Sequence, residues 1–447
     1  MPTMSLPSRQ HLKETALFAL PLIAGQVGQM LFGIGDIAVA GRYSPEVLAG
    51  LGTAAGIFAP FLMLGLGVTM AVGPLQAKRR GQKEEDELFL SSSLATGLLV
   101  GIVTMGLVYL LLPFLSLLGL SPELIPLIRI YLGIVAPSMI PLLLYQVFKE
   151  YLQAEDKTML ANAIILFFTL VNLPLNALLM FGWGPVPELG IYGAAIATVI
   201  CRTLMMLVIW GYCLKIHHLP FKIKLDLVKE ILRLGLPIGL GTLTEVLVFS
   251  TVTVLVGGMS VLASAGHNIV LNLASLTFMV PLALGSAASV KVGYQFGAKN
   301  ARELQDYAKS ALTLAAGFMI FTAMLYFTIP NLLLRFATDD PVLLAEGAKL
   351  LFFVALFQIP DGLQVTLWGI LRGIGVTKVP MLLSLIGNWA IGLPVGCYFA
   401  YQKGMQARGL WAGLSVGLTF MAISLGIVYF KKRRSLASMF SPGSTTS

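Results

Sequence analysis

Charge is what this 447-residue sequence has least of: 11% Asp, Glu, Lys and Arg against 57% apolar residues, with a mean hydropathy of +0.86. A soluble globular chain carries roughly 25% charged residues, and even large soluble proteins keep a charged exterior, so a water-facing surface is excluded. An exterior of lipid accounts for the deficit. Cysteine is scarce as well. Cys201, Cys213 and Cys397 lie scattered in apolar stretches, which excludes a disulfide framework and offers no metal-ligand spacing. The four histidines, His11, His217, His218 and His267, form no ligand cluster. The sequence also lacks a nucleophile–base pair and a phosphate-binding glycine loop, so neither an enzyme, a cofactor nor ATP-driven transport is expected. The first apolar stretch, after Arg9 and Lys13, outruns a signal-peptide core and has no small-residue cleavage site, which reads as a retained helix.

What is present is apolar length. Twelve stretches, the first over 16–42 and the last over 409–430, approach or exceed the ~20 residues that cross a bilayer. Lipid cannot satisfy backbone polar groups, so each must be helical. With the N-terminus in the cytoplasm, twenty-three of the thirty Lys and Arg residues fall inside and six outside, leaving Arg202 within a span. Both termini are then cytoplasmic and a multi-pass protein of the inner membrane is expected. The formal charge of +9 is a topology signal, not a nucleic-acid surface.

The chain also repeats. LPLIAGQVGQ, with Pro21 and Gln29, pairs with LPIGLGTLTE, with Pro237 and Glu245; the same shift pairs Gly41 with Gly257 and Gly81 with Gly297. NLPLNA around Pro174 pairs with GLPVGC around Pro394, and GIYGAAIAT from Gly190 with GLWAGLSVG from Gly409. Six spans per half leave both halves in one orientation, which predicts two pseudo-symmetric six-helix bundles around a central cleft in an all-α polytopic membrane protein. The expected organisation is a lobe over 1–215, a cytoplasmic linker over 216–229, a lobe over 230–430 and a basic, then polar, tail over 431–447.

Most acids lie in loops or at helix ends, but Asp36, Glu245 and Asp361 sit well inside spans with no base one turn away. Each costs at least ~3 kcal/mol in lipid unless it meets a cavity, a partner or a bound cation. At about 1.5 Å per residue, Asp36 falls in the outer half of span 1. Asn172 and Asn176 of span 5, one turn apart around Pro174, and Thr198 of span 6 lie at comparable depth. These four oxygen-bearing side chains could hold a sodium ion. Glu245 and Asp361, the latter after Pro360, resist double ionisation in a low-dielectric site and so suit proton or sodium binding and attraction of a cationic substrate. Gln358, Gln364, Asn272 and Asn388 are polar neighbours of lower specificity. Glu150, beside Lys149 near a span end, reads as an interfacial charge pair or gate contact.

These residues resemble the multidrug and toxic compound extrusion family, in its NorM-like branch, over essentially the whole chain. The resemblance rests on Asp36 in FGIGDIAVAGR, Glu245 in LPIGLGTLTEVLVF, Asp361 in FQIPDGLQVTLWGILRG, and the cluster of Asn172, Asn176 and Thr198. It implies export of amphipathic cationic drugs and dyes in exchange for inward sodium or protons, by a carrier expected to act as a monomer. Gln29, Glu245, Phe357 and Asp361 are the expected substrate contacts. Some NorM-like members carry a Tyr at the position of Phe357; losing that hydroxyl favours protonation over sodium ligation in the second lobe. The competing expectation, a flippase for lipid-linked precursors, calls for several basic residues in the cleft, and within the spans only Arg202 offers itself, at what reads as a helix end.

Overall fold

The computed structural model describes residues 7–84, 86–217, 219–220 and 222–439. The described residues are helical with no strand, and twelve helices are long and apolar enough to cross a membrane. Spans 1 to 6 are Arg9–Tyr43, Pro45–Gln82, Leu88–Leu118, Ile125–Ala154, Thr158–Phe181 and Ile191–Ile216. Spans 7 to 12 are Leu225–Gly257, Val261–Gly297, Ala301–Thr328, Pro341–Gly373, Lys378–Gln402 and Ala407–Leu436. The shortest, with 24 residues, reaches about 36 Å, enough for a hydrocarbon core of about 30 Å. The twelve-helix, all-α architecture expected from hydropathy is therefore the one observed. Large apolar side chains such as Leu110, Phe167, Leu170, Val254 and Phe321 stay exposed, on a surface that water would not tolerate and lipid does. The basic run from Lys431 to Arg434 continues the last helix to Met439; the rest of the polar tail lies outside the described residues.

Several helices begin where the sequence supplies a cap. The Val47 amide donates to Ser44 Oγ at 3.1 Å, with Pro45 opening the helix, and the Ala263 amide donates to Ser260 Oγ at 3.0 Å. Both use a side-chain oxygen for an otherwise orphaned N–H. Ser44 and Ser260 stand at the same shift that pairs Pro21 with Pro237, so the internal repeat extends to the caps. Asp340 caps span 10 in the same way, accepting from the Val342 amide at 2.8 Å.

The chain clusters into two compact units. One comprises Ala24–Gln76 and Glu85–Leu243; the other comprises Met1–Ile23, Ala77–Glu84 and Thr244–Ser447. The first has a core around Leu51, Phe58, Leu115, Leu132 and Met139, the second one around Leu350, Val354, Phe357, Trp411 and Met421. In the second unit, the start of span 1 and the end of span 2 dock on the ends of spans 8 and 9. His11 Nε2 meets Glu303 at 2.8 Å, the Tyr307 hydroxyl donates to Glu14 at 2.6 Å, and Lys291 Nζ lies 4.4 Å from the centre of the Phe18 ring. Gly81 and Gly297 let the backbones touch: a Cβ on Gly81 would collide with the Tyr294 carbonyl, and one on Gly297 with the Lys78 carbonyl.

Candidate cation sites and their cavity

The first-lobe site forms where spans 1, 5 and 6 meet. Gly193 permits the close approach of spans 5 and 6, because any side chain there would strike the backbone of Leu179 and Met180. Thr169 of span 5 donates to the Gly28 carbonyl of span 1 at 3.0 Å. This packing delivers two neutral donors to one carboxylate: Asn176 Nδ2 donates to Asp36 Oδ1 at 2.7 Å, and Thr198 Oγ1 to Asp36 Oδ2 at 3.0 Å. Asp36 is 5% exposed, and among the described residues no base lies within ion-pair distance of it. A buried carboxylate outside any ion pair is costly, and neutral donors, with the Arg202 guanidinium at the same cavity wall, offset only part of that cost. Asn176 Oδ1 and Asn172 Nδ2 are buried with no partner. The first is an acceptor that no donor reaches. Asn172, one turn earlier, makes no hydrogen bond to Asp36, Asn176 or Thr198.

Asp36 opens onto a cavity of about 190 Å³ inside the first unit, which Gln29, Phe32, Phe58, Tyr131 and Arg202 also line. Gln29, expected to touch substrate, is thus at this cavity. Arg202 stands well inside span 6, not at a helix end, four residues after Thr198 and on the same face. Span 4 bends here through a 3₁₀ turn, Ala136–Ser138, that contains Pro137. The turn presents the Ser138 hydroxyl, which accepts from an Arg202 Nη at 2.8 Å, while the guanidinium carbon lies 5.4 Å from the centre of the Phe58 ring. Tyr131 escaped the sequence reading; nothing in a single apolar run marks which aromatic faces a cavity.

In the second unit one amide joins the two acids. Gln364 Nε2 donates to Glu245 Oε1 at 3.0 Å and to Asp361 Oδ1 at 3.4 Å. Asp361 is 3% exposed and Glu245 half-buried. The ring nitrogen of Trp389 donates to the Thr244 carbonyl at 3.1 Å, fixing span 7 beside Glu245. Other expected neighbours lie elsewhere. Gln358 donates to Thr277 and Thr322, Asn388 to Ser384, and the exposed Asn272 to the Asn268 carbonyl. Phe357 is 3% exposed, its ring edge-on to Phe249 and Trp411 in the apolar core. Lys149 and Glu150 are both buried, with Gln146 donating to Glu150 at 3.0 Å.

Comparison with known proteins identifies the family and the fold. The MatE family profile matches residues 21–178 and 237–398. The chain is 31% identical to the probable multidrug resistance protein NorM of Acinetobacter baylyi, covering 96% of this chain and 98% of that protein. It is 32% identical to the multidrug resistance protein PmpM of Pseudomonas aeruginosa, covering 94% of this chain and 91% of that protein. Its fold matches that of the eukaryotic MATE transporter AtDTX14 with a TM-score of 0.86 at 20% identity, over 96% of this chain and 99% of that one.

Proposed function

The chain belongs to the MatE family of multidrug transporters, and on that premise we propose that it exports amphipathic organic cations in exchange for inward sodium or protons. It is a multi-pass membrane carrier and not an enzyme. The observation that carries the reading is Asp36: a buried carboxylate held by an amide and a hydroxyl, in no ion pair among the described residues, at the wall of a cavity. A structural acid in lipid is expected to be permanently ion-paired. This one has the arrangement of a group that a small cation visits.

In the proposed cycle the ionised acids help hold a lipophilic cation in the inward-facing state. A sodium ion or proton entering from outside then neutralises Asp36, or the Glu245–Asp361 pair, and weakens the hold on substrate. Coupling requires that the two ligands favour opposite states, since equal affinity for both would shift nothing. In this reading the protein acts in the inner membrane as a monomer with both termini cytoplasmic, its lobes corresponding to the sequence halves 1–215 and 230–430. A flippase for lipid-linked pyrophosphates would need several basic side chains at its site. Arg202 is the single one among the residues lining this cavity.

The test is ethidium efflux from proteoliposomes with sodium and proton gradients imposed separately. Wild-type protein is expected to respond to one of the two. Asp36→Asn, Glu245→Gln and Asp361→Asn, present at normal amounts, are each expected to lose at least about tenfold in rate, the scale of one charge-assisted contact. Wild-type efflux from all three variants, or none from wild type under either gradient, overturns the reading.

A further inference from the structure

Arg202 has no part in the exchange described above, and it is an expensive side chain to keep. It lies inside a span, at the wall of the cavity that Asp36 faces. Among the described residues its guanidinium makes one hydrogen bond, to Ser138 Oγ, and no carboxylate comes within ion-pair distance. An arginine that served packing in a membrane helix would be expected to be paired. Here the Phe58 ring supports the guanidinium, Ser138 takes one donor, and the remaining N–H groups are left for whatever enters the cavity.

The chain contains its own control for this position. In the repeat that pairs GIYGAAIAT with GLWAGLSVG, the residue matching Arg202 is Met421. Met421 is 1% exposed and lies in the second-lobe core. The fold thus accepts an uncharged side chain of similar length at this place in the lobe where Asp36 is itself matched by Val252, so the charge on Arg202 goes with that on Asp36 and with the cavity the two share.

We propose that Arg202 is a specificity-determining residue: it receives a carboxylate on the substrate while Asp36 faces the substrate's cationic centre. The favoured class is then amphipathic zwitterions. The proposal rests on the exporter reading and narrows it. With Asp36 ionised, the cavity carries one negative and one positive side chain. A zwitterion oriented across it meets opposite charge at both ends, whereas a simple cation meets Asp36 but also the repulsion of Arg202. A guanidinium is the side chain suited to such a task, because its planar fork donates two parallel hydrogen bonds to a carboxylate. Space is adequate for the part of such a molecule that carries its two charges across one ring. A cavity of about 150 Å³ holds a benzene ring, and this one, at about 190 Å³, is lined by Phe32 and Phe58, which suit an aromatic body.

A matched pair of dyes tests the idea. Rhodamine 110 carries a free carboxyl group on a cationic xanthene, and rhodamine 123 is its methyl ester. In gradient-driven efflux from proteoliposomes, the wild-type KM for the free acid is expected to lie below that for the ester. Arg202→Met is expected to raise the ratio of the acid's KM to the ester's by about tenfold, the scale of a lost charged hydrogen-bonded pair. Arg202→Lys, which keeps the charge without the fork, is expected to restore part of it. An unchanged ratio in folded, membrane-inserted Arg202→Met overturns the proposal. So does wild-type export of the ester without the acid, a result that needs no variant to fold and leaves the exporter reading intact. Export of neither dye under either gradient defeats the exporter reading and this proposal with it.

Discussion

Gln364 shows how little a single side chain need do to shape a site. Its one amide nitrogen reaches both Glu245 and Asp361, so each carboxylate has a neutral donor, and among the described residues neither has an ion pair. Replacing it with Leu leaves buried Asp361 and half-buried Glu245 without that shared donor. A buried acceptor that loses its donor costs about 1–3 kcal/mol. Gln364→Leu is therefore expected to lower thermal stability in detergent and to slow ethidium efflux, with Gln364→Glu slower still because it adds a third acid. Unaltered efflux from both would remove Gln364 from the site. The acids themselves were legible from the sequence, since a carboxylate in lipid stands out by its cost. Depth counting at about 1.5 Å per residue brought Asn176 and Thr198 to Asp36 without a structure. It also gathered Asn172, which makes no bond to the other three; depth says nothing of the direction in which a side chain leaves its helix. The same blindness hid Tyr131 and made Phe357 look like a cleft residue when its ring is buried in the core.

At the scale of the helix, hydropathy located all twelve spans but not their ends. Span 1 starts at Arg9, not near residue 16, and span 8 continues to Gly297, because apolar length measures the bilayer and a helix can run on into water. Span 2 is interrupted at Met70 and Ala71 before resuming as Val72–Gln82. Span 11 contains π-helical turns, Ile386–Gly392 and Tyr398–Gln402, on either side of Pro394; a proline leaves one carbonyl without its donor, and wider turns absorb the mismatch. The repeat pairs the polar positions of the first lobe with glycines of the second. Asn172, Asn176 and Thr198 correspond to Gly392, Gly396 and Gly417. Where the first lobe holds partners for Asp36, the second closes into a seam in which a Cβ on Gly413 would strike Gly396 and one on Gly417 the Gly387 carbonyl. Gly417→Thr, which copies the first-lobe residue, is thus expected to destabilise the protein by about 1–3 kcal/mol, read as a lower midpoint of thermal unfolding in detergent. A midpoint equal to wild type would show that the seam yields.

For the molecule as a whole, the repeat carries a working part as well as an ancestry. Gly81 and Gly297, at the same shift that pairs Gln29 with Glu245, are the points where the end of span 2 meets the end of span 8 backbone to backbone. Lys78 and Arg80 lie over the rings of Phe296 and Tyr294, each at 5.9 Å, so aromatic faces soften a crowd of positive charge. Both helix ends belong to one compact unit, so in the proposed cycle this contact holds that unit together. Gly81→Val is expected to keep dye binding in detergent while lowering efflux at least about tenfold, because the added side chain cannot fit between the touching backbones. Wild-type efflux from that variant would mean the contact is not needed in the cycle.

Each of these two glycines leaves room for the other helix of the crossing, and that mutual arrangement has a consequence for combined variants. A methyl group on either one wedges the helices apart, and the gap so opened is the gap a methyl on the other would require. Gly81→Ala and Gly297→Ala should therefore behave as one lesion made twice, the double variant little worse than its more damaging single parent, as neighbouring sites that share a strain do.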